Sequence, residues 1–164
     1  MDACDSDGDS DDEVREHCIR LLARREHSRF ELARKLVSKG RDRAVTDRVL
    51  DGLAQEGLLS DERFTEQFVR SRIEAGYGPL RIRADLRERG IGSDLAGDYL
   101  DGNESDWRER CRAAWARRFN TPPNDRRDWA RQSRFLANRG FSGDHVRRVL
   151  EQASRHDDIH FESE

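Results

Sequence analysis

Apolar residues recur along this chain at one-turn spacing, and polar residues fill the positions between them. Val14, Cys18, Leu21 and Leu22 stand at i, i+4, i+7 and i+8, which predicts an amphipathic helix over residues 14–25. Ser28 and Glu31 form a capping box that opens a second helix burying Leu32, Leu36 and Val37, with Gly40 as its stop. A third helix carries Val45, Val49, Leu50 and Leu53 and ends near Gly57. Ser60 then caps a fourth helix. Asp61 and Glu62 sit in its first turn, Leu59 and Phe64 are placed as a hydrophobic staple, and Phe64 and Phe68 lie on its buried face. Gly76-Tyr77-Gly78 stops it, Pro79 takes the first position of a fifth helix burying Ile82 and Leu86, and Gly90 ends that one.

Aligning the terminating glycines exposes a repeat. Gly40, Gly90 and Gly140 are 50 residues apart, as are Leu36, Leu86 and Leu136, and Leu50, Leu100 and Leu150. Val49, Tyr99 and Val149 keep the same step. Each unit reads helix, helix, Gly, helix. The third has Trp107, Cys111, Ala114, Trp115 and Phe119 in its first helix and a stiff Asn120-Thr-Pro-Pro-Asn124 loop. Trp129, Phe135 and Leu136 line its second helix, and Ser142 caps a last one burying Val146, Val149 and Leu150. No stretch alternates like a strand. The expectation is an all-α fold, an elongated, curved tandem array of three three-helix units. Its parts are residues 1–13 as a disordered acidic tail, 14–57, 58–102 and 103–153 as the units, and 154–164 as a second acidic tail.

Composition sharpens this picture. Charged residues make up 40% of the 164 and apolar ones 34%, thin for one large core and better suited to small helix clusters in series. The formal net charge of −3 hides segregation, because residues 1–13 hold seven acidic side chains and no basic one. Residues 14–154 carry 30 basic and 23 acidic groups, a net of +7. Of the 31 basic residues 29 are Arg, whose planar donors suit phosphate and carboxylate. Residues 15–48 hold eleven basic against five acidic groups, and residues 107–139 ten against three. A basic stripe along a curved array suits a polyanion. A solvated face whose arginines pair with nearby Glu at i, i+4 is the competing reading for any single one. The arginines off the apolar faces are Arg20, Arg24, Arg25, Arg34, Arg70, Arg72, Arg81, Arg83 and Arg87, extended in the third unit by Arg117, Arg118, Arg131 and Arg134.

Catalytic chemistry finds no foothold. There is no GxxxxGK[ST] loop, no GxGxxG opening a helix, and no Ser, Cys or Thr with a His and an acid at recognisable spacing. Asp5, Asp7, Asp9 and Glu16 fit four positions of a calcium loop, but Ser10 stands where the turn glycine belongs. His156 and His160 lack a third metal ligand. Cys4, Cys18 and Cys111 are scattered and odd in number. No apolar run approaches membrane-spanning length, so a cytoplasmic protein without cofactor or metal is expected, binding rather than catalysing.

The run of residues 61–91, DERFTEQFVRSRIEAGYGPLRIRADLRERGI, closely resembles the central signature of the regulatory protein RecX family. LLARREHSRFELARKLVSKG followed by VLDGLAQEGLLSD is similar to that family's N-terminal unit, and RFLANRGFSGDHVRRVL to its C-terminal one. The resemblance spans roughly residues 14–153. Arg41 and Asp42 depart from it, standing where the first unit usually turns apolar, and both acidic tails are additions. It implies a monomeric modulator that lies in the groove of the RecA–DNA filament. Such a protein would inhibit strand exchange, ATP hydrolysis and co-protease action, and would bind DNA weakly. A stand-alone helical DNA-binding protein is the alternative; it would need a base-reading helix in each unit, and none is marked.

Overall fold

Helix starts in this protein are set by short polar side chains. Ser10, Ser28, Asp42, Ser60 and Asp125 each accept a hydrogen bond from the backbone N–H three residues on, at 2.7–3.2 Å. Ser142 does the same for His145 at 3.2 Å. The computed structural model describes residues 10–102 and 104–160, with side chains as far as Arg155. Within them lie α1 (Asp11–Leu22), α2 (Arg29–Ser38), α3 (Arg43–Gln55), α4 (Asp61–Glu74), α5 (Pro79–Glu88), α6 (Ser93–Leu100), α7 (Glu104–Arg118), α8 (Arg126–Asn138) and α9 (Gly143–His160). No strand occurs among the described residues. The helices group in threes: α1 and α2 pack on α3, α4 and α5 on α6, α7 and α8 on α9. The expected all-α tandem array is therefore the observed fold.

The 50-residue phase governs the backbone as well as the sequence. Gly40, Gly90 and Gly140 each end the second helix of a unit with φ of +83°, +76° and +96°, a left-handed conformation that residues with a Cβ resist. The paired leucines 36, 86 and 136 are fully buried, and Leu50, Leu100 and Leu150 nearly so. The core is nevertheless not divided into three. Val14, Cys18, Leu32, Leu36, Val49, Leu50, Leu53 and Leu59 form one cluster in the first unit. A second cluster runs unbroken from Phe64 through Ile82 and Trp107 to Leu150, so the second and third units share their apolar interior.

Several local expectations are corrected. α1 begins at Asp11 rather than Val14, because Ser10 caps it and three acids, Asp11, Asp12 and Glu13, occupy the first turn where the helix dipole favours them. Residues 1–9 of the expected disordered tail lie outside the described residues. α9 continues to His160 where a tail was expected from residue 154. Val37 is 46% exposed, because Leu32 and Leu36 already define the inner stripe of the ten-residue α2 and Val37 falls beside it. Val69 takes the buried position expected of Phe68, which is only partly covered. Leu59 and Phe64 are both buried but in different cores, Leu59 in that of the first unit and Phe64 in that shared by the second and third, so they do not staple one helix.

The joints between units repeat with the same phase. At the first, the Ser28 hydroxyl donates to the Arg89 carbonyl at 2.7 Å, and Phe30 packs on Gly90. At the second, the Gly78 N–H donates to the Arg139 carbonyl at 2.8 Å and the Leu80 N–H to the Gly140 carbonyl at 3.0 Å. Positions 28, 30, 89 and 90 thus become 78, 80, 139 and 140. The start of the second helix of one unit docks on the glycine end of the second helix of the next.

Candidate interaction surface

The residue before each of Gly40, Gly90 and Gly140 is basic, and two of these, Arg89 and Arg139, reach back over the joint they help to form. Arg89 lies 4.7 Å over the Phe68 ring, donates to the Asp85 carbonyl at 2.7 Å and approaches Glu31 of the first unit at 3.5 Å. Arg139 stands between Tyr77 (5.0 Å) and Phe135 (5.3 Å) and donates to the Ala75 carbonyl at 3.1 Å. Such stacking holds a guanidinium plane in place while leaving it charged. Neither is among the thirteen arginines picked from the sequence as contacts, and Arg89, expected to leave α5 toward solvent, instead folds over Phe68. Their position one before the repeat glycine, shared with Lys39, was the available signal.

The thirteen arginines picked from the sequence have different surroundings. Arg72 and Arg81 converge on the buried Asp85 at 3.6 and 3.1 Å, and Arg72 also stacks on Phe68 and Tyr77. Arg83 pairs with Asp101, Arg20 with Glu16 at 3.6 Å, Arg25 with Glu31 at 3.1 Å and Arg131 with Asp128. Arg24, Arg34, Arg70, Arg87, Arg117 and Arg134 are exposed, with no ion pair to a described residue. Arg118 and Arg131 each lie 5.5 Å from the centre of the Phe119 ring.

These side chains gather in shallow depressions. Arg25 and Arg34 join Lys35 and Arg89 in a cleft of about 420 Å³ at the first joint. Arg117 and Arg118 join Arg139 and Phe135 in a smaller one, about 170 Å³, at the second joint. Arg131 and Arg134, with Arg127, surround a third at the start of α8. A further group, Arg108, Arg147, Arg148 and Arg155, lines a depression between α7 and α9 that the sequence reading did not anticipate. There the Arg147 and Arg148 guanidinium groups hold the Asp144 carboxyl below the usual carboxylate range.

Cys18 and Cys111 are buried free thiols, pushed up by burial to about 11 and about 12, so neither is a thiolate at neutral pH. Among the described residues no group of three or more His, Cys, Asp or Glu could hold a metal ion. Asp5, Asp7, Asp9 and Cys4 lie outside the described residues, as do the side chains of His156 and His160; Glu16, the fourth calcium-loop position, faces Arg20. No helix among the described residues is long and apolar enough to cross a membrane.

Three glycine-phased units joined end to end, with arginines displayed at and between the joints, define a tandem three-helix repeat protein. The particular family follows from direct comparison. Models of the first, second and third three-helix domains of RecX match residues 15–53, 60–100 and 104–150. The regulatory protein RecX of Halorhodospira halophila is 46% identical over 152 residues, 92% of this chain and 94% of that protein. Its counterpart in Chromohalobacter salexigens is 45% identical over 139 residues, 85% of this chain and 91% of that one. A crystal structure of RecX from Lactobacillus salivarius superposes with a TM-score of 0.75 at 20% identity, covering 89% of this chain and 97% of that one. The chain belongs to the RecX family of regulatory proteins.

Proposed function

We propose that this protein regulates a RecA recombinase in the cytoplasm by lying in the groove of the RecA–DNA filament as a monomer. There it bridges successive filament subunits and obstructs entry of the second duplex, so that strand exchange, ATP hydrolysis and co-protease action all fall. The observation that carries the reading is membership of the RecX family across all three units in their order. The fold supports it: an array joined in series presents separated basic clefts along its length, a layout suited to a repeating polyanionic groove. The protein acts by occupancy, and its contact with DNA is weak and salt-dependent.

The test is ATP hydrolysis by RecA assembled on single-stranded DNA, followed as this protein is added up to one per RecA subunit. Hydrolysis is expected to fall steeply below stoichiometric ratios to RecA. Undiminished hydrolysis at equimolar protein overturns the reading.

A further inference from the structure

We propose that the cleft at the first joint takes one unpaired nucleotide of a single-stranded nucleic acid, its phosphate against Arg34 and Lys35 and its base against the Phe30 ring. This deepens the nucleic-acid part of the function proposed above.

Phe30 is the central observation. It remains 47% exposed, yet it is not loose. Its Cβ lies so close to Gly90 that a methyl group there would come within 2.4 Å. An aromatic ring anchored at its root and open to solvent is a stacking platform. Around it the cations fall into two kinds. Arg25 and Arg89 are occupied with Glu31, at 3.1 and 3.5 Å. Arg34 and Lys35, one turn along the same helix, have no ion pair to a described residue. They are free to take a phosphate, and their positive charge exceeds what Glu88 on the opposite wall offsets.

The repeat provides the control. Fifty residues on, Phe30, Arg34 and Lys35 are replaced by Leu80, Ala84 and Asp85, so the second joint closes with neither a ring nor a cation at the equivalent helix positions. The joint itself therefore requires neither. A cleft of about 420 Å³ admits a single base with its phosphate and is far too narrow for a duplex. An acidic peptide would use the cations but leave the ring idle, and for that reason the nucleotide is the better fit.

The experiment is fluorescence anisotropy of a labelled oligothymidylate and of a duplex of equal length across a salt series, with the full chain. Phe30→Ala is expected to weaken single-strand binding roughly tenfold while leaving the duplex within twofold, and Phe30→Tyr to retain wild-type binding. Arg34→Gln with Lys35→Gln, both exposed positions, should flatten the single-strand salt slope by about 1.4. Equal binding by wild type and the double variant overturns the site, whatever the fold of Phe30→Ala. So does loss of single-strand and duplex binding in equal measure in Phe30→Ala. Oligoglutamate that displaces the strand and binds independently of Phe30 assigns the cleft to an acidic peptide and overturns the nucleotide. RecA hydrolysis measured in parallel separates the two proposals: a wild-type protein that binds the strand through Phe30 but leaves RecA unaffected removes only the filament reading.

Discussion

The two joints occupy equivalent positions in the repeat and are built from different forces. The second joint is sealed by two backbone hydrogen bonds, Gly78 to Arg139 and Leu80 to Gly140, over an apolar core that runs on both sides of it. The first is held by side chains. Ser28 reaches Arg89, the Asp61 carboxylate accepts from the Arg29 N–H at 2.8 Å, and Arg63 pairs with Glu26 at 2.8 Å, while the two cores stay separate. Apolar burial and backbone bonds are indifferent to salt and pH, whereas exposed ion pairs are screened. One architectural step can thus be sealed by backbone bonds over a shared core or by screenable side-chain contacts, according to what fills it. In this chain the screenable step belongs to the first unit.

A glycine series gives the largest test of that contrast. Gly140→Ala places a Cβ 2.3–2.5 Å from the Arg81 backbone and Cβ on top of a left-handed φ, and should cost about 3 kcal/mol or more in urea unfolding. Gly90→Ala meets the Phe30 Cβ at 2.4 Å, an atom that cannot swing clear without moving α2, and should likewise cost about 3 kcal/mol or more. Gly40→Ala has the same sign of φ but open space around it, so about 1 kcal/mol is expected. If all three cost the same, backbone strain alone governs them and the joints contribute nothing.

A smaller effect is expected at Ser28. Its hydroxyl accepts from the Glu31 N–H at 3.1 Å and donates to the Arg89 carbonyl, so it caps α2 and ties two units at once. Ser28→Ala should lower stability by about 1–2 kcal/mol. Ser28→Asp restores the cap but turns a donor toward a carbonyl into an acceptor. It should therefore recover helix content by circular dichroism while leaving the amides near Gly90 faster in hydrogen exchange than in the wild type.

The smallest effect is a pH dependence that arises in the first unit. Burial is the main cause that holds His27 below the usual imidazole range; the neighbouring Arg25 adds to it, and Glu31, 3.3 Å away, opposes it. The unfolded chain then binds a proton more readily than the folded one, so stability is full above the unfolded imidazole pKa, about 6.5, and declines as pH falls below it. His17 adds a change of the same sign, again chiefly through burial. His27→Gln should remove part of that decline in urea midpoints taken between pH 7.5 and 5.5. An unchanged slope would assign the decline elsewhere.

Much of this architecture could be read from the chain before any coordinates. The glycines at 40, 90 and 140 announced both the repeat and the left-handed turns, because positive φ is a demand a sequence displays openly. The leucine ladder fixed the inner faces for a similar reason: helical period is local. What stayed hidden depends on partners distant in the chain. The 61-residue link from Ser28 to Arg89, the shared core of the last two units and the half-exposure of Phe68 beneath two guanidiniums arise from docking, which no local pattern encodes. Of the candidate surface, individual arginines were legible, but their division into those tied to Asp85 or Glu31 and those left unpaired was not. Phe30 was overlooked because, read alone, it is an ordinary apolar residue near a helix start.

The agreement of contacts, and not merely residues, at a step of fifty has a consequence for how such a molecule changes size. Since the same two loci meet at each joint, a duplicated or deleted block of that length would find a ready-made mate on either side. Growth or shrinkage by any other increment would leave a glycine turn facing the wrong neighbour. Reach along a partner is therefore quantised, gained or lost a whole unit at a time, while the chemistry within each cleft is free to drift.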